Sequence, residues 1–90
     1  MDLKECRAEI DRINSEILEL FAQRMEICKL VAEYKAENGL PILAPEREKE
    51  ILSTVTENAS PEIRQYVTEL FSVIMKLSRD YQDTVINGKK

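Results

Sequence analysis

The 90-residue sequence predicts an all-α protein built of a long helix, a short helix and a second long helix. Three observations carry that expectation. Apolar residues recur at seven-residue spacing through the first part of the chain. The two glycines and three prolines stand at a few places and divide the chain into segments. Helix start and stop signals sit at those divisions.

The first segment runs from about Asp2 to Asn38. Asp2, with Glu5 three residues on, is a capping-box pattern, and Asn38-Gly39 followed by Pro41 supplies a stop. Inside it one apolar row holds Leu3, Ile10, Ile17 and Val31, and another holds Cys6, Ile13, Leu20, Ile27 and Tyr34. This is a sustained heptad seam. The second helix is expected from Pro45, a favoured first helical position, to about Glu57-Asn58, with Ile51, Leu52 and Val55 as its apolar residues. The third is expected from Ser60-Pro61-Glu62, with serine as cap and proline just inside, to about Ile86. Ile63, Val67, Leu70, Phe71, Ile74, Met75, Leu77, Tyr81 and Val85 are among its apolar positions.

A first helix of about 36 residues measures roughly 54 Å, whereas a globule of this chain length has a radius of gyration of about 12 Å. One copy cannot cover such a helix. The seam therefore predicts an intertwined helical homodimer of single-domain chains, residues 1–90. Small size points the same way, because a short chain buries too little surface to be robust alone.

Composition narrows the chemistry. The sequence lacks histidine, the commonest general acid/base and metal ligand. It has no Cys/His zinc spacing, and its only glycines, Gly39 and Gly88, cannot form a phosphate-cradling loop. Neither metal nor cofactor is expected. The net charge is −4, with no basic run beyond Lys89-Lys90, which argues against nucleic-acid and membrane partners. Cys6 and Cys28 lie 22 positions apart in one helical pattern. That is roughly 33 Å, too far to bridge, so both read as reduced, buried, small apolar residues of a cytoplasmic protein. The opening Met-Asp-Leu-Lys-Glu-Cys has no signal-peptide pattern, and no apolar stretch is long enough to span a bilayer.

Polar residues that interrupt the apolar faces are the candidates for function. Arg24 fills the missing place in the first heptad row. A guanidinium there is costly unless paired. It either pairs with a core carboxylate or extends its head group to water, or it grips a ligand carboxylate with two parallel hydrogen bonds. Lys35 flanks the seam about 16 Å further along, within reach of a shared small ligand, although alone it reads as a surface lysine. Arg7 lies about 25 Å before Arg24 and can meet it only from the partner helix of an antiparallel dimer. On the third helix Phe71, Met75, Ser78, Gln82 and Val85 form one stripe. Ser78 and Gln82 either satisfy backbone and interhelical hydrogen bonds or face a polar ligand. Arg47 and Glu48, in the first turn of the second helix, read by themselves as a solvated charge cluster.

Jointly these residues resemble the all-α class of chorismate mutases. The likeness runs from about Cys6 to Gln82. It includes the pattern R-x-x-I-D-x-I-N-x-x-I-L-x-L from Arg7 to Leu20, then Ala22-Gln23-Arg24-Met25 and Val31-Ala32-Glu33-Tyr34-Lys35. It continues through Pro41 to Glu48 and through Leu70-Phe71, Ile74-Met75, Ser78 and Gln82. The resemblance implies a cofactor-free Claisen rearrangement of chorismate to prephenate, toward phenylalanine and tyrosine. It also implies roles. Arg24 binds a substrate carboxylate, and Arg7 reaches into the other subunit's site. Lys35 and Gln82 hydrogen-bond the ether oxygen, and Glu48 accepts from the ring hydroxyl. Ser78 assists carboxylate binding, Arg47 completes the polar wall, and Ala44 contributes its backbone.

Ala44 departs from the family pattern, where aspartate is common. It is a poor helix cap, costing about 1 kcal/mol against aspartate. Isochorismate pyruvate lyases share the fold and resemble this chain in the stretch Ala44-Pro45-Glu46-Arg47, which makes lyase the alternative activity. A reading of another class is a non-catalytic helical dimerisation module, in which Arg24 pairs with a protein carboxylate in a closed core and sets register.

Overall fold

In the computed structural model, which describes residues 1–88, the first helix, α1, spans Leu3–Glu37. It starts where the sequence places its cap, with Asp2 Oδ1 accepting from the Glu5 backbone N–H at 2.8 Å. It stops at Gly39, whose φ of 64° suits a residue without a Cβ. There the Leu40 N–H reaches the Lys35 carbonyl at 2.8 Å and the Gly39 N–H reaches that of Ala36 at 3.5 Å, a Schellman ending.

The second helix, α2, spans Pro45–Asn58, with Pro45 in its first turn. Ala44 caps it with no side-chain hydrogen bond, as an alanine must. The third helix, α3, spans Arg64–Asn87 and begins three residues later than Pro61, its expected first helical residue. The segment from Ser60 to Ile63 forms a separate turn closed by the Ile63 N–H on the Ser60 carbonyl at 3.1 Å. Pro61 brings no N–H to that turn. Arg64 Nε ties it back to the Ala59 carbonyl at 3.0 Å, so the chain reverses before the helix starts.

Among the described residues all regular structure is helical, and α3 is the element on which both α1 and α2 pack. Glu48 meets Arg79 and Thr56 meets Thr68, so α2 and α3 are antiparallel. Residues 17–24 of α1 share a groove with residues 70–77 of α3, and residues 24–35 share a cavity with residues 75–82. These matches make α1 and α3 run in the same direction. The first half of α1 therefore projects past the rest of the chain. The long dimension is 53 Å, the length of α1 itself, and the radius of gyration is 16.1 Å.

The buried core consists of Cys28, Ala32 and Met75, with Ser78 and Gln82 beside them. Much of the heptad seam is open: Leu3, Ile10, Ile17, Ile13, Leu20, Ile27 and Tyr34 are all exposed. Cys6 is only partly covered, against the expectation that both cysteines are buried. The reason is geometric, because nothing among the described residues packs on the projecting half of α1. No described helix is long and apolar enough to cross a membrane. Of the expected 1–90 domain, Lys89 and Lys90 lie outside the described residues.

Candidate active site

A cavity of about 120 Å³ opens where the second half of α1, the first turns of α2 and the second half of α3 converge. Its polar lining is Arg24 and Lys35 from α1, Arg47 and Glu48 from α2, and Ser78, Arg79 and Gln82 from α3. Ala44 lines it from the α2 cap, and Cys28, Val31, Ile42, Ile51 and Met75 supply apolar wall. Four cations thus face one carboxylate in a chain whose net charge is −4. The cavity is locally suited to an anion although the molecule as a whole is acidic.

Each polar group is held by a specific local cause. The Arg24 guanidinium donates to Ser78 Oγ in a short contact and approaches the Cys28 thiol at 3.8 Å. Thiols are weak acceptors, and a guanidinium carries five N–H donors, so this cation keeps donors to spare. Among the described residues no carboxylate pairs with it. Ser78 donates its hydroxyl hydrogen bond to the Ile74 carbonyl at 2.8 Å, the usual habit of a mid-helix serine, which leaves its oxygen facing Arg24.

Lys35 sits in the last turn of α1, where a cation suits the helix dipole, and its Nζ donates to the Ile42 carbonyl at 2.7 Å. That bond ties the loop between α1 and α2 to the site. Gln82 is only 7% exposed, and its Oε1 has no hydrogen-bond partner among the described residues. A buried amide left unsatisfied is expensive. A ligand hydrogen-bonding to it relieves that cost, and rotation of the amide presents either donor or acceptor.

Glu48 is gripped by Arg79 Nη1, at 2.5 Å to Oε1 and 2.6 Å to Oε2. Arg47 lies mostly in solvent and pairs with Glu50 one turn on. For Arg47 the plain reading, a charge cluster on a solvated face, describes the geometry, although its side chain still borders the cavity.

Seven residues named from the sequence are therefore brought together by one chain: Arg24, Lys35, Ala44, Arg47, Glu48, Ser78 and Gln82. Arg7 is not among them. It is exposed on the projecting half of α1, about 25 Å from Arg24 along the helix axis. Arg79 was missed. It lies four positions after Met75 and three before Gln82, so the helical stripe carried a signal for it. An arginine in that setting otherwise reads as surface, and its partner is 31 positions away in sequence.

Arg24 also borders a second feature, an apolar groove formed by Ile17, Leu20 and Phe21 with Leu70, Phe71, Val73, Ile74 and Leu77. It thus stands at the junction of the cavity and this open apolar groove beside α3.

Comparison with known proteins identifies the family. The chain is 48% identical over 54 residues to a bifunctional chorismate mutase/prephenate dehydratase of Aquifex aeolicus, covering 60% of this chain and 15% of that protein. It is 47% identical over 53 residues to a chorismate mutase of Methanocaldococcus jannaschii, covering 59% of this chain and 54% of that one. A bifunctional chorismate mutase/prephenate dehydratase of Buchnera aphidicola is 34% identical over 88 residues, 96% of this chain and 23% of its own length. The chain spans about half the length of the archaeal relative and less than a quarter of the two bifunctional ones. No solved structure matches it. The family model for chorismate mutase type II matches residues 6–83, which takes in α1 from Cys6 onward, all of α2 and α3 as far as Asp83; the chain belongs to the chorismate mutase type II family.

Proposed function

We propose that this chain catalyses the rearrangement of chorismate to prephenate, in the synthesis of phenylalanine and tyrosine, as a single domain that works in an intertwined homodimer. The observation that carries the reading is the convergence of Arg24, Lys35, Glu48, Ser78 and Gln82 on one cavity, with Arg24 free of any carboxylate partner among the described residues. Family membership supports the same activity.

The chemistry fits the residues. The rearrangement is unimolecular and pericyclic, so it calls for no nucleophile, metal, cofactor or obligatory proton transfer. What it needs is a flexible dianion held in its compact reactive shape, which positioning achieves. Arg24, assisted by Ser78, takes one carboxylate, and the partner subunit's Arg7 takes another contact from the open side. Arg47 swings inward to close the polar wall, and the Ala44 backbone borders the substrate. Glu48 accepts from the ring hydroxyl. Lys35 and Gln82 donate to the ether oxygen, where negative charge builds as the C–O bond breaks.

The homodimer is supported by the exposed seam of α1 and by the apolar groove beside Arg24. A cytoplasmic location goes with this reading and is supported by two free cysteines. Ala44, which brings no carboxylate to the cavity, favours a second reading, isochorismate pyruvate lyase. The interaction-module reading needs a carboxylate on Arg24, and Arg24 instead faces Ser78 and the cavity.

Incubation of the purified protein with chorismate and, separately, with isochorismate tests the proposal. Prephenate from chorismate is the expected result. Pyruvate and salicylate from isochorismate alone indicate the lyase, and no turnover of either returns the chain to the interaction module.

A further inference from the structure

Among the described residues Glu48 is the one carboxylate on the cavity wall, and it shares that wall with Arg24, Lys35, Arg47 and Arg79. None of the first three is paired with Glu48. Arg24 bonds a hydroxyl and approaches a thiol, Lys35 bonds a backbone carbonyl, and Arg47 pairs outward with Glu50. Arg79 alone holds Glu48, reaching both carboxylate oxygens from a single nitrogen and linking α3 to α2. The two side chains are 33% and 24% exposed, far less than any other ion pair among the described residues. Water and salt therefore screen this pair least.

A half-buried carboxylate deprived of its partner is costly and turns to another cation. In this cavity the available cations are the ones an anionic ligand needs. If Glu48 captured Arg24, Lys35 or Arg47, it would occupy the place of a ligand oxygen, and every binding event would have to expel it.

We propose that Arg79 is a positioning residue of this site: by gripping both oxygens of Glu48 it keeps that carboxylate off Arg24, Lys35 and Arg47 and leaves them open to the anionic ligand. The proposal rests on reading the cavity as the chorismate site. Arg79 acts through Glu48 and does not touch the ligand. Each Glu48 oxygen retains lone-pair capacity beyond the bond to Arg79, so Glu48 still accepts from a ring hydroxyl.

The test compares chorismate kinetics of the full chain with those of R79Q, R79K, E48Q and the double variant R79Q/E48Q. R79Q is expected to raise KM by about tenfold or more with a smaller change in kcat, because substrate must first displace Glu48. R79K recovers most of that loss, since a point charge still restrains the carboxylate. In the E48Q background, adding R79Q changes KM by less than about twofold, because a neutral amide does not seek cations. An equal penalty in both backgrounds overturns the proposal, since Arg79 would then grip the ligand itself, and so does an unchanged KM in R79Q. A crystal structure of R79Q adds a readout independent of turnover. The Glu48 carboxylate is expected on Arg24, Lys35 or Arg47, and a carboxylate left in place or turned to solvent overturns the idea. If the wild-type chain does not convert chorismate, the reading of the site has failed, whereas the position of Glu48 in R79Q still decides the role of Arg79.

Discussion

Arg24 occupies a heptad position whose other members are leucine, isoleucine and valine, yet its contacts are a hydroxyl and a thiol. A guanidinium so under-satisfied is poised for an external carboxylate. Arg24→Ala is expected to lower kcat/KM by about 10²-fold or more while circular dichroism stays helical, since the loss is a preorganised charge and the helix gains a good former. Unchanged activity would remove Arg24 from the site. Gln82 is buried, and its amide oxygen has no partner among the described residues. In Gln82→Glu the ionised carboxylate repels the charge growing on the ether oxygen, and the protonated acid donates to it. Activity of that variant should therefore rise as pH falls, and a flat pH–rate profile would count against the contact. Arg47 is held outward by Glu50 in a surface pair of the kind worth about 0–1 kcal/mol. Glu50→Gln should release it and lower KM by up to about fivefold, with kcat little altered; a higher KM would mean that Glu50 assists binding.

The three helices begin in three different ways, and the differences matter to the site. At α1 an aspartate caps the first turn through its side chain. At α2 the cap is Ala44, which offers backbone only, on the rim of the cavity. At α3 a separate turn precedes the helix and Arg64 secures it. Ala44→Asp supplies the missing acceptor, for about 1 kcal/mol of added stability, and should raise Tm by about 4–8 °C for a domain of this size. An unchanged melting curve would show that the first turn of α2 is already satisfied by other means. At the end of α1, Lys35 joins helix and loop through the Ile42 carbonyl, so the same ammonium that faces the cavity also anchors its rim.

At the scale of the whole molecule, the 16.1 Å radius of gyration exceeds the about 12 Å of a globule of this length. The excess comes from the projecting half of α1, whose apolar residues face solvent. In the proposed homodimer such a surface forms the interface. Arg7 lies on that projecting half, and the cavity that would use it is about 25 Å away in the same chain. In that proposed dimer an antiparallel pairing of two α1 helices closes the gap. Arg7→Ala and Arg24→Ala chains, each impaired alone, should therefore regain activity when mixed, because one of the two hybrid sites holds both arginines. Heterodimers demonstrated by mass spectrometry but lacking activity would argue against a shared site.

The local part of this protein was legible in the sequence. The Asp2 cap, the Gly39 stop and the Pro45 start all depend on residues within a turn of one another, so one-dimensional spacing suffices to find them. The seam and its interruption at Arg24 were legible for the same reason, because helical periodicity converts spacing into a face. Length alone exposed the problem of covering α1. Tertiary structure decided what those faces meet. Only the fold brought Glu48 to Arg79, set Arg24 against Ser78 and left Gln82 buried with an unpaired oxygen, since each depends on how α2 and α3 pack rather than on neighbours in the chain. It also corrected the start of α3, where Ser60-Pro61 opens a separate turn tied by Arg64 as readily as it opens a helix, and the burial of Cys6, because whether a helix half has a neighbour is decided by the assembled chain.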